Sequence, residues 1–173
     1  PIPRVYDRFI NSVIFFAMSL GETVNIEGPL SKEYLRNINE FQDAWIKWKP
    51  SSYKKVTLTP NETVSISDPS TRESALAAFS GGVDSVFTLL RHTNGSLKDA
   101  AYPLNKSVLL VHGFDVPLNR PDQVQALKKR IEPLTNRLNL SIKMIRTNSR
   151  ELGLQNWDDS SMAELSCCLH HYS

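Results

Sequence analysis

Ala75-Leu-Ala-Ala-Phe79-Ser80-Gly81-Gly82-Val83-Asp84-Ser85 passes within one residue from a continuous apolar run to a small, polar, glycine-rich turn. An uninterrupted apolar run reads as a strand buried on both faces. Asp84 to His92 then takes helical spacing, with Val86, Phe87, Leu89 and Leu90 as its apolar members. Downstream the pattern repeats: a strand over Ser107–His112, a long helix over Pro121–Asn139, a strand over Ile142–Arg146, and helix again from Met162. The long helix has Pro121 in its first turn and a stripe of Val124, Leu127, Ile131, Leu134 and Leu138, with Pro133 expected to kink it. Strands alternating with helices imply parallel crossovers and an α/β sheet flanked by helices.

Upstream, Val5–Leu20 reads as a helix whose face is Val5, Phe9, Ile10, Val13, Ile14, Phe16 and Ala17, ended by Gly21. Thr23–Glu27 alternates like a strand broken by Gly28-Pro29. Ser31 caps a second helix running to Trp48, with Leu35, Ile38, Phe41, Trp45 and Trp48 on its core side. Lys55–Thr59 reads as a strand and Pro60–Glu73 as a polar linker. Residues 1–73 are therefore read as an N-terminal α+β appendage and linker, and 74–173 as the core.

The turn at Ser80–Ser85 can bind an anion. Gly81 and Gly82 let phosphate approach without Cβ atoms in the way, and successive N–H groups form a nest. Ser80 and Ser85 add hydroxyls, and the next helix aims its positive end at the same point. Asp84 would clash with phosphate unless it binds a cation or caps the helix, and a Mg²⁺ shared with phosphate oxygens resolves the conflict. No lysine precedes the serine, as a Walker loop requires, and the third glycine of the dinucleotide-binding pattern is missing.

Ser-Gly-Gly-Val-Asp-Ser after an apolar strand resembles the PP-loop of the ATP pyrophosphatase superfamily at all six positions. Asparagine, GMP, NAD and argininosuccinate synthetases, tRNA thiolation enzymes and 7-cyano-7-deazaguanine synthases belong to it. The wider pattern is similar to an uncharacterised bacterial branch with an N-terminal helix–strand–helix module and a His-Gly-Phe-Asp strand end. The resemblance implies a doubly wound parallel (HUP-like) sheet with ATP at the carboxyl ends of its strands. It further implies cleavage to AMP and pyrophosphate, so that an adenylated carboxylate or carbonyl of a small molecule can receive nitrogen. On that pattern Ser80, Gly81, Gly82, Val83 and Ser85 hold phosphates and Asp84 helps hold Mg²⁺. Phe79, Val111, His112 and Gly113 lie at strand ends where adenosine is expected, and Asp115 is a candidate for ribose, Mg²⁺ or substrate. His112 reads as a structural hydrogen-bonded residue or an adenosine contact before a catalytic base.

Such sheets hold at least five strands and only three follow the linker, so the core is expected to continue past Ser173. Otherwise the N-terminal strands, a second copy or another chain would complete the sheet. Two other functions stay open on the residues: a tRNA-modifying enzyme of the same fold, and a nucleotide-binding or interaction module without catalysis.

Composition narrows the classes. Over 173 residues the chain is 40% hydrophobic and 22% charged with net charge +2, which gives no electrostatic reason to expect nucleic acid. The longest apolar run, Val13–Met18, is too short to span a membrane. Cys167 and Cys168 are adjacent, so neither a disulfide framework nor a spaced zinc site is expected. Sequons at Asn61, Asn94, Asn105 and Asn139 are read as chance in a cytoplasmic protein.

Overall fold

A computed structural model describes residues 5–65, 75–93 and 104–172. It is a mixed α/β structure with parallel strands in two small sheets flanked by helices. Two compact units share the chain: residues 1–70 with 153–167, and residues 71–152 with 168–173. Gly153–Cys167 thus packs with the N-terminal elements, a difference from a division at residue 73, which itself lies outside the described residues.

The first unit holds α1 (Asp7–Asn11), α2 (Ile14–Leu20), β1 (Val24–Ser31), α3 (Lys32–Trp48), β2 (Leu58–Val64) and most of α7 (Trp157–His170). The single helix expected over Val5–Leu20 is broken at Ser12–Val13, where Val13 takes φ −129° and ψ −5°. The break shifts the buried face. Ile10, Ile14, Phe15, Ala17 and Met18 are buried, whereas Phe9 and Val13 face outward. Phe15 then becomes the hub of the core, edge-on to Phe41, Trp45 and Tyr53 at 5.5, 4.8 and 5.3 Å between centroids. Such pairs add about 0.5–1.5 kcal/mol each beyond area burial. Trp48, expected in the core, is 69% exposed and only borders Trp45.

Strand β1 does not stop at Gly28-Pro29. It runs to Ser31, with a register irregularity between Ile26 and Pro29 in its parallel pairing to β2. A Cβ on Gly28 would fall 2.4 Å from the Tyr6 ring, so this glycine serves close packing. Strand β2 lies later than Lys55–Thr59 and includes Pro60, because an edge strand tolerates a residue with no N–H to donate. The linker read over Pro60–Glu73 is therefore strand as far as Val64; residues 66–73 lie outside the described residues. Ser31 caps α3 as expected, accepting from Tyr34 N at 3.1 Å, and Asp7 accepts from both Ser31 N and Ser31 Oγ.

The second unit holds β3 (Ala75–Ala78), α4 (Val83–Thr93), β4 (Leu104–His112), α5 (Pro121–Arg137), β5 (Ser141–Arg146) and α6 (Ser149–Leu152). Its sheet is parallel in the order β3-β4-β5, with β4–β5 register running from Ser107↔Ser141 to His112↔Arg146. The core gathers Phe79, Leu89, Val108, Leu110, Val124, Ile131 and Leu140. Val124 and Ile131 come from the expected stripe of α5, and the helix runs through Pro133 without interruption. Strand β3 was expected to be buried on both faces. Ala75–Ala78 are instead half-exposed, because β4 is the strand's only sheet neighbour among the described residues. Of the apolar members of α4, Phe87 and Leu90 are exposed, while Leu89 is buried and Val86 packs against the core.

Asp159, at the start of α7, ties that helix to the N-terminal elements. It accepts from Lys49 Nζ at 2.6 Å and Tyr53 Oη at 2.7 Å while its side chain is 7% exposed. Burial pushes its carboxyl up, but the hydrogen bonds from Lys49 and Tyr53 and the charge of Lys49 outweigh it and hold the group below the usual carboxylate range. A lowered folded value means stability that is complete above about pH 4 and is lost as pH falls through that value. Asp159→Asn is expected to cost about 1–2 kcal/mol at pH 7, and the difference from wild type should fade in urea titrations repeated toward pH 3. A pH-independent difference would refute the ionic origin.

Candidate functional site

The turn between β3 and α4 lies where the sequence puts it, and its two glycines do different work. Gly81 has φ +78°, and a Cβ there would come 2.7 Å from Ile131 Cγ2 on α5. Its bare backbone lets the loop rest on α5. Gly82 has no positive φ, and a Cβ there would meet only Ser80 Oγ at 3.5 Å. Nothing among the described residues requires glycine at 82; the missing side chain leaves space in front of the loop.

That space is a cleft of about 510 Å³, within the size range of small-molecule sites. Ser80, Gly81 and Gly82 form one wall, Asp115 and Val116 a second, and Gln123, Ala126, Leu127 and Arg130 of α5 a third. The first helical hydrogen bond of α4 is Val86 N to Gly82 O at 3.0 Å. The N–H groups of Val83, Asp84 and Ser85 precede it and have no intrahelical acceptor. Ser85 Oγ donates to Gly82 O at 2.9 Å and fixes the turn. Val83 is 86% exposed, and Asp84 stands exposed in the first turn of α4.

The other strand ends divide. Phe79 is 1% exposed inside the core, its N–H donating to Leu109 O at 2.8 Å. His112 is 2% exposed, and its Nε2 lies 2.9 Å from Pro117 O, which requires the proton on that nitrogen. Val111 is half-buried. Gly113 has φ +116°, and a Cβ there would lie 1.8 Å from Thr147 O. This close approach continues the sheet beyond its strands: Thr147 N donates to His112 O at 3.0 Å, and Arg150 Nη1 to Phe114 O at 2.7 Å. The result carries Asp115 to the cleft. Of the residues singled out in the sequence, the structure brings Ser80, Gly81, Gly82 and Asp115 together on the cleft. Val83, Asp84 and Ser85 flank it, and Phe79, Val111, His112 and Gly113 form its support.

Sequence reading missed Gln123 and Arg130. Val124, Leu127 and Ile131 mark the inward stripe of α5, and Arg130 stands beside it, one position before Ile131 and three after Leu127.

The groups on and beside the cleft are of the kinds that could hold a phosphate chain with a divalent cation. Open N–H groups and the Ser80 hydroxyl suit phosphate oxygens, and exposed carboxylates at Asp84 and Asp115 are hard oxygen ligands. Mg²⁺ bound with phosphates takes one or two carboxylates and water, not a dense protein cage. Burial, then the charge of Glu164, pushes the Cys167 thiol up, away from the reactive thiolate. Cys168 is buried. No helix among the described residues is long and apolar enough to cross a membrane. Compared with family models, curated proteins and solved structures, the chain matches none.

The two glycines should separate on substitution. Gly81→Ala meets both the positive φ and the Ile131 methyl, and is expected to cost about 2 kcal/mol or more. Gly82→Ala should stay within about 1 kcal/mol. Thermal and urea unfolding of both variants checks this, and equal losses would remove the distinction.

Proposed function

We propose that the Ser80–Ser85 loop binds the phosphates of ATP and that the chain belongs to an ATP-dependent adenylating ligase or synthase acting on a small-molecule carboxylate or carbonyl. One observation carries the reading: Gly82, for which the described residues show no steric need, bares the joint of β3 and α4 toward a cleft. The resemblance of the loop to the PP-loop superfamily supports it, and so does parallel β-α-β organisation on either side. On this reading the three strands belong to a doubly wound HUP-like sheet.

The work of each residue follows from its position. Val83, Asp84 and Ser85 offer backbone N–H groups, and the Ser80 hydroxyl stands at the loop's entry. The positive end of α4 adds a field that favours anions. Asp84 offers a carboxylate beside the phosphates, and Mg²⁺ bound there would supply the charge that lets the two coexist. Asp115, on the opposite wall, is within the cleft for ribose or substrate. Phe79 and Gly113 hold the strand ends from below.

A module that binds nucleotide without turnover is the alternative. His112 favours it: its ring is buried and is not among the residues that line the cleft, so it has no contact with a substrate there.

Labelled ATP with Mg²⁺ and panels of small carboxylates should yield AMP and pyrophosphate. ADP and phosphate as the only products would overturn the adenylating reading; ATP retained uncleaved would favour the binding module. In calorimetry Asp84→Ala should weaken Mg²⁺-dependent ATP binding by roughly tenfold or more. Unchanged affinity would remove the role given to Asp84.

A further inference from the structure

Arg130 is the one basic side chain, and Asp115 the one acidic side chain, among the residues lining the cleft. Two other basic side chains of this stretch are neutralised locally: Arg120 pairs with Asp122 at 3.3 Å, and Lys128 with Glu132 at 3.8 Å. Among the described residues Arg130 forms no ion pair. A solvated surface arginine is ordinary, but the position of this one is not. Its Nη2 lies 3.9 Å from the point that a Cβ on Gly81 would occupy. The guanidinium therefore stands beside the loop backbone, held there because Ile131, its immediate neighbour on α5, packs against Gly81.

An anion reaching the loop N–H groups would meet this fork from the α5 side. A guanidinium stays charged throughout the working pH range and presents paired donors that match phosphate oxygens. A single phosphate can be satisfied by the loop alone. Each further phosphate adds charge that the loop's partial charges, with Asp84 and Asp115 nearby, cannot balance. Building on the ATP reading, we infer that Arg130 clamps the phosphate chain against the loop and makes the cleft select nucleotides by their number of phosphates.

Calorimetry on the full chain with Mg²⁺ and ATP, ADP, AMP or inorganic pyrophosphate tests this. Wild type should bind ATP and ADP more tightly than AMP. Arg130→Gln should lower ATP and ADP affinity by roughly tenfold or more, and AMP affinity by less than about threefold. Arg130→Lys should restore part of the loss, since charge returns without the fork. Thermal unfolding should not change, because Arg130 is exposed. Equal ATP affinity in wild type and Arg130→Gln, or equal losses for ATP and AMP, would overturn the clamp while leaving the ATP reading intact. A wild-type chain that binds neither ATP nor pyrophosphate would overturn both.

Discussion

Gly81 has no room for a side chain, and the arrangement of the cleft follows from that. With a methyl group there the loop could not rest on Ile131. The contact joins the end of β3 to the middle of α5, two elements far apart in sequence. It fixes which way the rest of the turn looks: Gly82 outward, the start of α4 beside it, and Arg130 alongside. Gly113 makes the equivalent closure at the end of β4, where its backbone lies against Thr147 O. Two glycines at two strand ends thus tie the turns to packed structure, and a site built on tied turns keeps its geometry better than one on free loops.

The parts of this arrangement legible in the sequence are the ones that local chemistry determines. The Ser80–Ser85 turn, the stripe of α5 and the cap at Ser31 each follow from a few adjacent residues. Exposure does not. Ala75–Ala78 are as apolar as any central strand, yet they lie at the edge of the described sheet. Phe79 and His112 occupy strand ends, which suggested ligand contact, but burial depends on what α5 and the Pro117 turn bring over them. Arg130 was invisible for the opposite reason. A cation beside a helix's apolar stripe looks like any other solvated charge until the loop that it faces is known.

The first unit makes the same point through distance. Its helix break at Ser12–Val13 has no glycine or proline to announce it, and a shift of one residue moved Phe15 from the outer face to the hub of the core. The break is stabilised from elsewhere: Gln155 donates to Ser12 O at 2.9 Å and accepts from Phe16 N at 3.1 Å. Tyr53 and Asp159 meet across 106 residues. Partners so far apart leave no periodicity in either segment, which is why helix could be read from Met162 but the segment Gly153–Cys167 could not be assigned to its unit.

Asp84 has two physical reasons to occupy the first turn of α4, and magnitudes separate them. A carboxylate near a helix N-terminus gains about 0.3–1 kcal/mol from the helix dipole, ligand or no ligand. A phosphate held about 4 Å from the same carboxylate would be repelled by ~4 kcal/mol at an effective dielectric near 20. Stabilising α4 therefore cannot compensate for placing an acid inside a phosphate loop. An uncharged residue at 84 would forgo only that dipole term and would avoid the repulsion. If the loop holds phosphates, the carboxylate is tolerable only with a cation between them, so that the reading of the loop and the metal-linked role of Asp84 stand or fall together. On the same condition Arg130 would enter the balance from the other side, offsetting phosphate charge without an ion pair to Asp84, so the two residues would be separable contributors to one electrostatic site.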